Sequence, residues 1–215
     1  SKDEADTFQN ELTYLLLSQK IAFNSPVWFN LGLFHEYGIV ENGGSFYWDR
    51  ETDTIKLSQD SYSYPQISAC FINSVGDYMF GDHGPEDHSI FNLILTEAKL
   101  FKYGSGNGTN VSPIRAQGES LSGGGTSSGL MSFLKTLDMN ANAVKSGGKT
   151  RRAAKMVVLN SNHPDIKDFI YWKVDAERKA RALAAFGYDS DMDGLYRDLM
   201  GQNSNNSIRV TDDFM

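Results

Sequence analysis

The chain's only cysteine, Cys70, stands in the stretch QISACFINSVGD, residues 66–77, with an aspartate, Asp77, seven positions further on. A single thiol cannot close a disulfide within this sequence. A lone cysteine most often serves as a small hydrophobe in a core, and the rest of the sequence has to say whether this one does more. A second candidate chemistry is anion binding. Five basic residues, Lys145, Lys149, Arg151, Arg152 and Lys155, flank Gly147 and Gly148 in KSGGKTRRAAK. Glycine backbone N–H groups with Lys and Arg beside them are suited to phosphate. The alternative for that stretch is a solvated surface loop. GSGNGTN, inside 103–110, has neither the dinucleotide fingerprint nor a Walker lysine at the required spacing. His83, Glu86, Asp87 and His88 in GDHGPEDHS read as a solvent-exposed helix cap, because no second ligand cluster accompanies them to make a metal site.

The elements that must position these groups follow from periodicity. Residues 4–20, with Phe8, Leu12, Leu15 and Leu16, have helical spacing. Pro26 predicts extended backbone at Ser25 and an entry into a buried aromatic segment. GGSFYWDRETDTIKLS, 43–58, reads as strand, polar turn and strand, a hairpin inserted into the main pattern. A buried strand is expected over 67–72, ending near Cys70, and a helix over 86–102, stopping at Gly104. Further helices are expected over 130–144 and from Pro164 to Gly187, and further strands over 156–159 and 206–210. Strands alternating with helices predict an α/β protein with parallel strands.

Composition narrows the class. The 215 residues, 40% hydrophobic, can fill one large domain or a good part of a bigger one. No apolar run approaches the roughly 20 residues of a membrane span, and a net charge of −7 argues against a general nucleic-acid binder. One cysteine and no signal-like start make a reducing, cytoplasmic setting the expectation.

Five blocks in order, FNSPVWFNLG, SACFINSVGD, FKYGSGNGTNVSPIRAQGESLSGGG, SGGKTRRAAKMVVLNSNHPDIKDFI and NNSIRVTDDFM, resemble the large catalytic subunit of ribonucleotide reductases. The likeness spans residues 8–215 and is closest to the adenosylcobalamin-dependent, class II branch. The insertion at 36–64 is in keeping with that branch. The resemblance implies a fold: the first half of the ten-stranded α/β barrel, built in the whole enzyme from two antiparallel half-barrels around a finger loop. It also implies an activity, the conversion of ribonucleoside di- or triphosphates to deoxyribonucleotides by thiyl-radical chemistry, with adenosylcobalamin as cofactor. The radical cysteine of the family lies in an Asn-x-Cys-x-Glu motif, which this sequence does not contain. The chain is therefore expected to be inactive alone and to need the other half of the barrel, past Met215.

The resemblance carries over site residues one by one. Cys70 matches one of the two thiols that close to a disulfide as the substrate is reduced. Ser25 matches a hydroxyl residue that helps hold substrate phosphates, Ala69 forms a substrate-contacting pair with Cys70, and Gly106 matches a glycine whose backbone passes close to substrate. Asp77 matches the acid on the ribose of an allosteric deoxynucleoside triphosphate, and Arg115 an arginine on its phosphates, the alternative for Arg115 being a surface salt bridge. Ser146, Gly147, Gly148, Lys149, Thr150, Arg151 and Arg152 fall on the loop between effector and substrate, within the glycine-rich 103–155 region. The implied partners are a ribonucleotide, an effector nucleotide, a dithiol reductant such as thioredoxin, and a second copy meeting the helices at 86–102 and 130–144. No metal ligand is identified. A class I large subunit and a stand-alone nucleotide-binding module are the alternative readings.

Overall fold

A computed structural model describes residues 1–41, 45–81, 87–144, 153–188 and 201–215. These fall into two units, Ser1–Ala69 and Cys70–Met215. In the first, helix α1, Lys2–Leu17, begins where the Ser1 hydroxyl accepts the Glu4 N–H at 3.3 Å. Leu12, Leu15 and Leu16 are half-buried and Phe8 is exposed.

Helix α2, Ser25–Asn30, differs from the expectation at Pro26. Ser25 is helical and the chain is extended one residue earlier, at Asn24. A proline in the first turn leaves no N–H to be satisfied, so the helix starts around it rather than after it. Trp28 and Phe29, expected to be buried, are exposed. The hairpin forms as expected, with β1, Phe46–Asp49, antiparallel to β2, Thr54–Leu57, and Asp53 at φ +55° in the turn. Tyr47 on one face stacks on Tyr64 with ring centroids 3.5 Å apart, and Lys56 pairs with Asp49.

The second unit alternates strand and helix: β3 Cys70–Asn73, α3 Ile90–Lys102, β4 Gly106–Asn110, α4 Leu130–Ala143, β5 Lys155–Asn160, α5 Ile166–Ala185 and β6 Ser204–Arg209. A short 3-10 turn, Asp212–Phe214, follows. The four strands are parallel and lie in chain order β3-β4-β5-β6. Each crossover steps one strand in the same direction. Right-handed connections then put every helix on one face, which makes a singly wound barrel segment rather than a doubly wound sheet.

Burial agrees with that layout. Asn107, Thr109, Lys155, Val157 and Leu159 point into the helix-covered side and are buried, together with Phe101, Leu134 and Phe169 from the helices. The alternate positions, Cys70, Ile72 and Met156, are exposed, Ile72 to 91%. Two elements differ from the sequence reading. The strand at Cys70 begins there instead of ending there, and residues 106–110, read as part of a glycine-rich loop, form the second strand of the sheet. No helix among the described residues is long and apolar enough to cross a membrane.

Candidate active site

Cys70 is the first residue of β3, an edge strand, and its thiol is exposed on the open face. Within this chain the thiol is not part of a core. Its partner in the register is Gly106, the first residue of β4. A Cβ built on Gly106 would lie 3.1 Å from the Cys70 sulfur, 3.1 Å from the Ala154 carbonyl oxygen and 3.3 Å from the Ala154 Cβ. A side chain at 106 would press on the sulfur on one side and on Ala154 on the other, and those neighbours would have to give way by a few tenths of an ångström. Two residues on, Gly108 also faces the open side, so β4 presents bare backbone between Ile72 and Met156.

On the helix-covered side of the sheet lies a chain of buried polar groups that sequence reasoning missed. Lys155 Nζ donates to both oxygens of Glu97 at 2.6 Å, and the two side chains are 1% and 0% exposed. Asn107 Nδ2 donates to Glu97 Oε1 at 2.6 Å and to Thr109 Oγ1 at 3.1 Å, while Asn73 Nδ2 donates to Asn107 Oδ1 at 2.6 Å. Burial pushes the Glu97 carboxyl up and the Lys155 ammonium down, each opposed by the charge of the other. Lys155, counted among the basic residues of a phosphate-binding loop, is therefore not available to an anion. The signal for Glu97 was its place in the stripe Ile90, Leu93, Glu97, Phe101, where a buried apolar residue belongs.

At the opposite ends of β3 and β4, about 10 Å along the strands, Asp77 and Arg115 meet. The Arg115 backbone N–H donates to Asp77 Oδ1 at 3.0 Å and its Nε to Oδ2 at 2.6 Å. Arg115 Nη1 donates to the Ser120 carbonyl at 2.8 Å. Both border an open cleft of about 400 Å³, walled also by Glu119, Asn160, Asn162 and His163. The cleft is braced from below. Asp165 accepts the N–H groups of Gln117 at 3.2 Å and Leu130 at 3.1 Å, and His163 bonds through Nε2 to the Ile114 carbonyl at 2.8 Å.

The remaining candidates divide plainly. Ser25, half-buried, opens α2 in the first unit, and Ala69 ends that unit next to Cys70. Residues 146–152, with Lys145, His83 and Glu86, lie outside the described residues. Asp87 accepts the N–H and hydroxyl of Ser89, the cap of α3, and the exposed His88 donates its N–H to the Tyr78 hydroxyl. That is the capping role expected of this stretch.

A singly wound parallel sheet with its helices on one face defines an α/β barrel segment. The family model described as "Ribonucleotide reductase, barrel domain" matches residues 68–215, and the chain belongs to that family. It is 50% identical over 214 residues, 99% of its length, to the "Vitamin B12-dependent ribonucleotide reductase" of Rhodopirellula baltica. It is 52% identical over 184 residues, 85% of its length, to the protein of the same description from Agrobacterium fabrum. The chain spans 20% of the first relative and 14% of the second. Among solved structures, the "Actinobacillus ureae class Id ribonucleotide reductase alpha subunit" matches 90% of this chain and 24% of its own, at 16% identity and a TM-score of 0.49.

Proposed function

We propose that this chain is the part of a cobalamin-dependent ribonucleotide reductase that supplies one of its two reducing thiols, Cys70. The observation that carries the reading is the exposed Cys70 sulfur packed against glycine backbone at the start of β3. Relatives described as vitamin B12-dependent reductases, 43–52% identical over most of this chain, support the branch.

The chemistry balances with two thiols. The substrate 2′-hydroxyl leaves as water, the 2′-carbon gains hydrogen, and two thiols become a disulfide, giving up two electrons and two protons. Cys70 is the sole thiol in the sequence, so the second comes from outside these 215 residues. An external dithiol, of the thioredoxin kind, then reduces the disulfide. The ribose lies beside Cys70 and Gly106 in this reading, and Ser25 and Ala69 keep the substrate-binding roles that the family resemblance implies.

Adenosylcobalamin supplies the initiating radical in this class when it is bound. His163, the buried histidine of the described residues, already has Nε2 on the Ile114 carbonyl and Nδ1 on the Asp165 N–H, so it is not a cobalt ligand in reserve. No described residue is assigned to the cofactor.

Asp77 and Arg115 form the effector site for a deoxynucleoside triphosphate in this reading, and residues 146–152 carry its occupancy to the substrate. Helices α3 and α4 are the faces that meet a second copy, the 36–64 segment is an insertion, and the enzyme works in the cytoplasm. The test is Cys70→Ser in the full-length reductase, assayed with adenosylcobalamin and a dithiol. Multiple turnover is lost and substrate binding persists. Sustained turnover near the wild-type rate overturns the assignment.

A further inference from the structure

The chain Asn73–Asn107–Glu97–Lys155 draws one residue from each of β3, β4, α3 and β5. Its placement relative to Cys70 is specific. Asn107 follows Gly106, and Lys155 follows Ala154. The Asn107 N–H donates to the Ala154 carbonyl at 2.8 Å, the same oxygen that a Cβ on Gly106 would meet at 3.1 Å. Gly106, with Ala154 on its far side, is therefore the floor beside the Cys70 sulfur, and the residues after them are tied to Glu97 from behind.

A buried ion pair is a poor source of stability. Removing both charges from water offsets most of their attraction, and apolar residues of similar volume do as well or better. What such a pair does supply is geometry. Both Glu97 oxygens are held by one ammonium, and the Asn107 amide, donating to Glu97 and accepting from Asn73, is left with one orientation. Three strands are thereby tied together behind the sheet, β4 and β5 at the residues next to Gly106 and Ala154, and β3 at Asn73, three residues on from the thiol.

We infer that Glu97 and Lys155, acting through Asn107 and Asn73, are positioning residues that hold the Gly106–Ala154 floor and so aim the Cys70 thiol. The inference rests on the proposed role of Cys70 in disulfide formation, and it predicts a separation of effects. Loss of the pair alters what Cys70 does while leaving folding and substrate binding in place.

The experiment uses the full-length reductase with the double substitution Glu97→Leu/Lys155→Met, and separately Asn73→Ala at the outer end of the chain. Three quantities are read: melting temperature, substrate affinity, and the rate at which Cys70 becomes oxidised in a single turnover without external dithiol. A fourth readout is independent of activity: the alkylation rate of Cys70 by iodoacetamide, followed by peptide mass spectrometry. The double variant is expected to melt near wild type and bind substrate normally. Its Cys70 oxidation is expected to slow by about tenfold or more, with a changed alkylation rate, and Asn73→Ala to do the same to a smaller degree. Wild-type oxidation and alkylation in a folded double variant overturn the inference. Should the double variant not fold, Asn73→Ala decides: unchanged Cys70 rates in that protein overturn it. Absence of Cys70 oxidation in the wild-type enzyme defeats the functional reading instead, and the alkylation rates then decide the positioning role alone.

Discussion

Asp77 and Arg115 are joined twice, through the Arg115 backbone N–H to one carboxylate oxygen at 3.0 Å and through Nε to the other at 2.6 Å. They stand 38 residues apart in sequence, so the pairing ties the loop after β3 to the loop after β4. With both side chains 29% exposed, the ion pair contributes about 1 kcal/mol or less to stability. Its consequence is orientation: Asp77 fixes the guanidinium at the mouth of the cleft. Arg115→Ala should weaken deoxynucleoside triphosphate binding by at least about tenfold, since a charge-assisted fork to phosphate is lost. Substrate affinity should change much less, and the effector-dependent choice among substrates should flatten. Titration of the full-length enzyme with each effector reads this, and unchanged effector affinity would mean that the site lies elsewhere.

Asp165 caps a helix that is distant in sequence. Gly129, at φ +84°, is the N-cap of α4 and has no side chain to offer, so the Leu130 N–H is satisfied by Asp165 from beyond β5. The same carboxylate takes the Gln117 N–H. Asp165→Ala leaves two backbone donors without this partner and should destabilise by about 2–4 kcal/mol. Asp165→Asn, which keeps one carbonyl oxygen, should recover part of the loss. Equilibrium denaturation of both variants compares them, and an Asp165→Ala protein as stable as wild type would remove the capping role.

The alternation of strands and helices was legible because periodicity changes from 2 to 3.6 along the chain, and α3, α4, α5, β5 and β6 fall where the pattern puts them. β4 was not legible. GNGTN has the composition of a turn, and it is a strand because its neighbours β3 and β5 pair with it on both sides and Gly106 lies against a thiol. Glu97 and Lys155 were hidden for the opposite reason. Each occupies an inward position of its element, where a charge looks like an exception to the pattern until its partner is found across the core. Cys70 and Gly106 were legible only through resemblance to a family, since neither residue type announces the other. Their register is a property of the sheet, not of either segment.

The hairpin offers a test by pH. Lys56 and Thr52 hold the Asp49 carboxyl down at about 2, and Asp49 in turn raises the Lys56 ammonium above its ordinary value. For the carboxyl, a depressed folded pKa means that its contribution is fully present above the unfolded value of about 3.9 and fades as pH falls toward 2. For the ammonium, a raised folded pKa means that its contribution is present below about 10.4 and fades at higher pH. NMR titration of the Asp49 carboxyl carbon should give a midpoint of about 2. Lys56→Met should return the midpoint toward the ordinary aspartate value. A wild-type midpoint already at that value would show that the pair does not hold in solution.

Gly106 and Gly108 give the sharpest comparison, because they lie on the same face of the same strand and differ only in what surrounds them. A methyl at 106 meets the Cys70 sulfur and the Ala154 oxygen, both at 3.1 Å, whereas the nearest described atom to a methyl at 108 is the Phe71 carbonyl oxygen at 3.9 Å. Neither glycine has a positive φ, so backbone strain does not enter. Gly106→Ala should therefore cost about 1–3 kcal/mol by overpacking and push the thiol off its seat. Gly108→Ala should cost less than about 1 kcal/mol, the lost backbone freedom of the unfolded chain working in its favour. In the full-length reductase, the first variant should slow single-turnover oxidation of Cys70 and alter its alkylation rate, and the second should leave the thiol unchanged. Equal effects of the two substitutions would mean that the close approach of Gly106 to Cys70 has no part in aiming the sulfur.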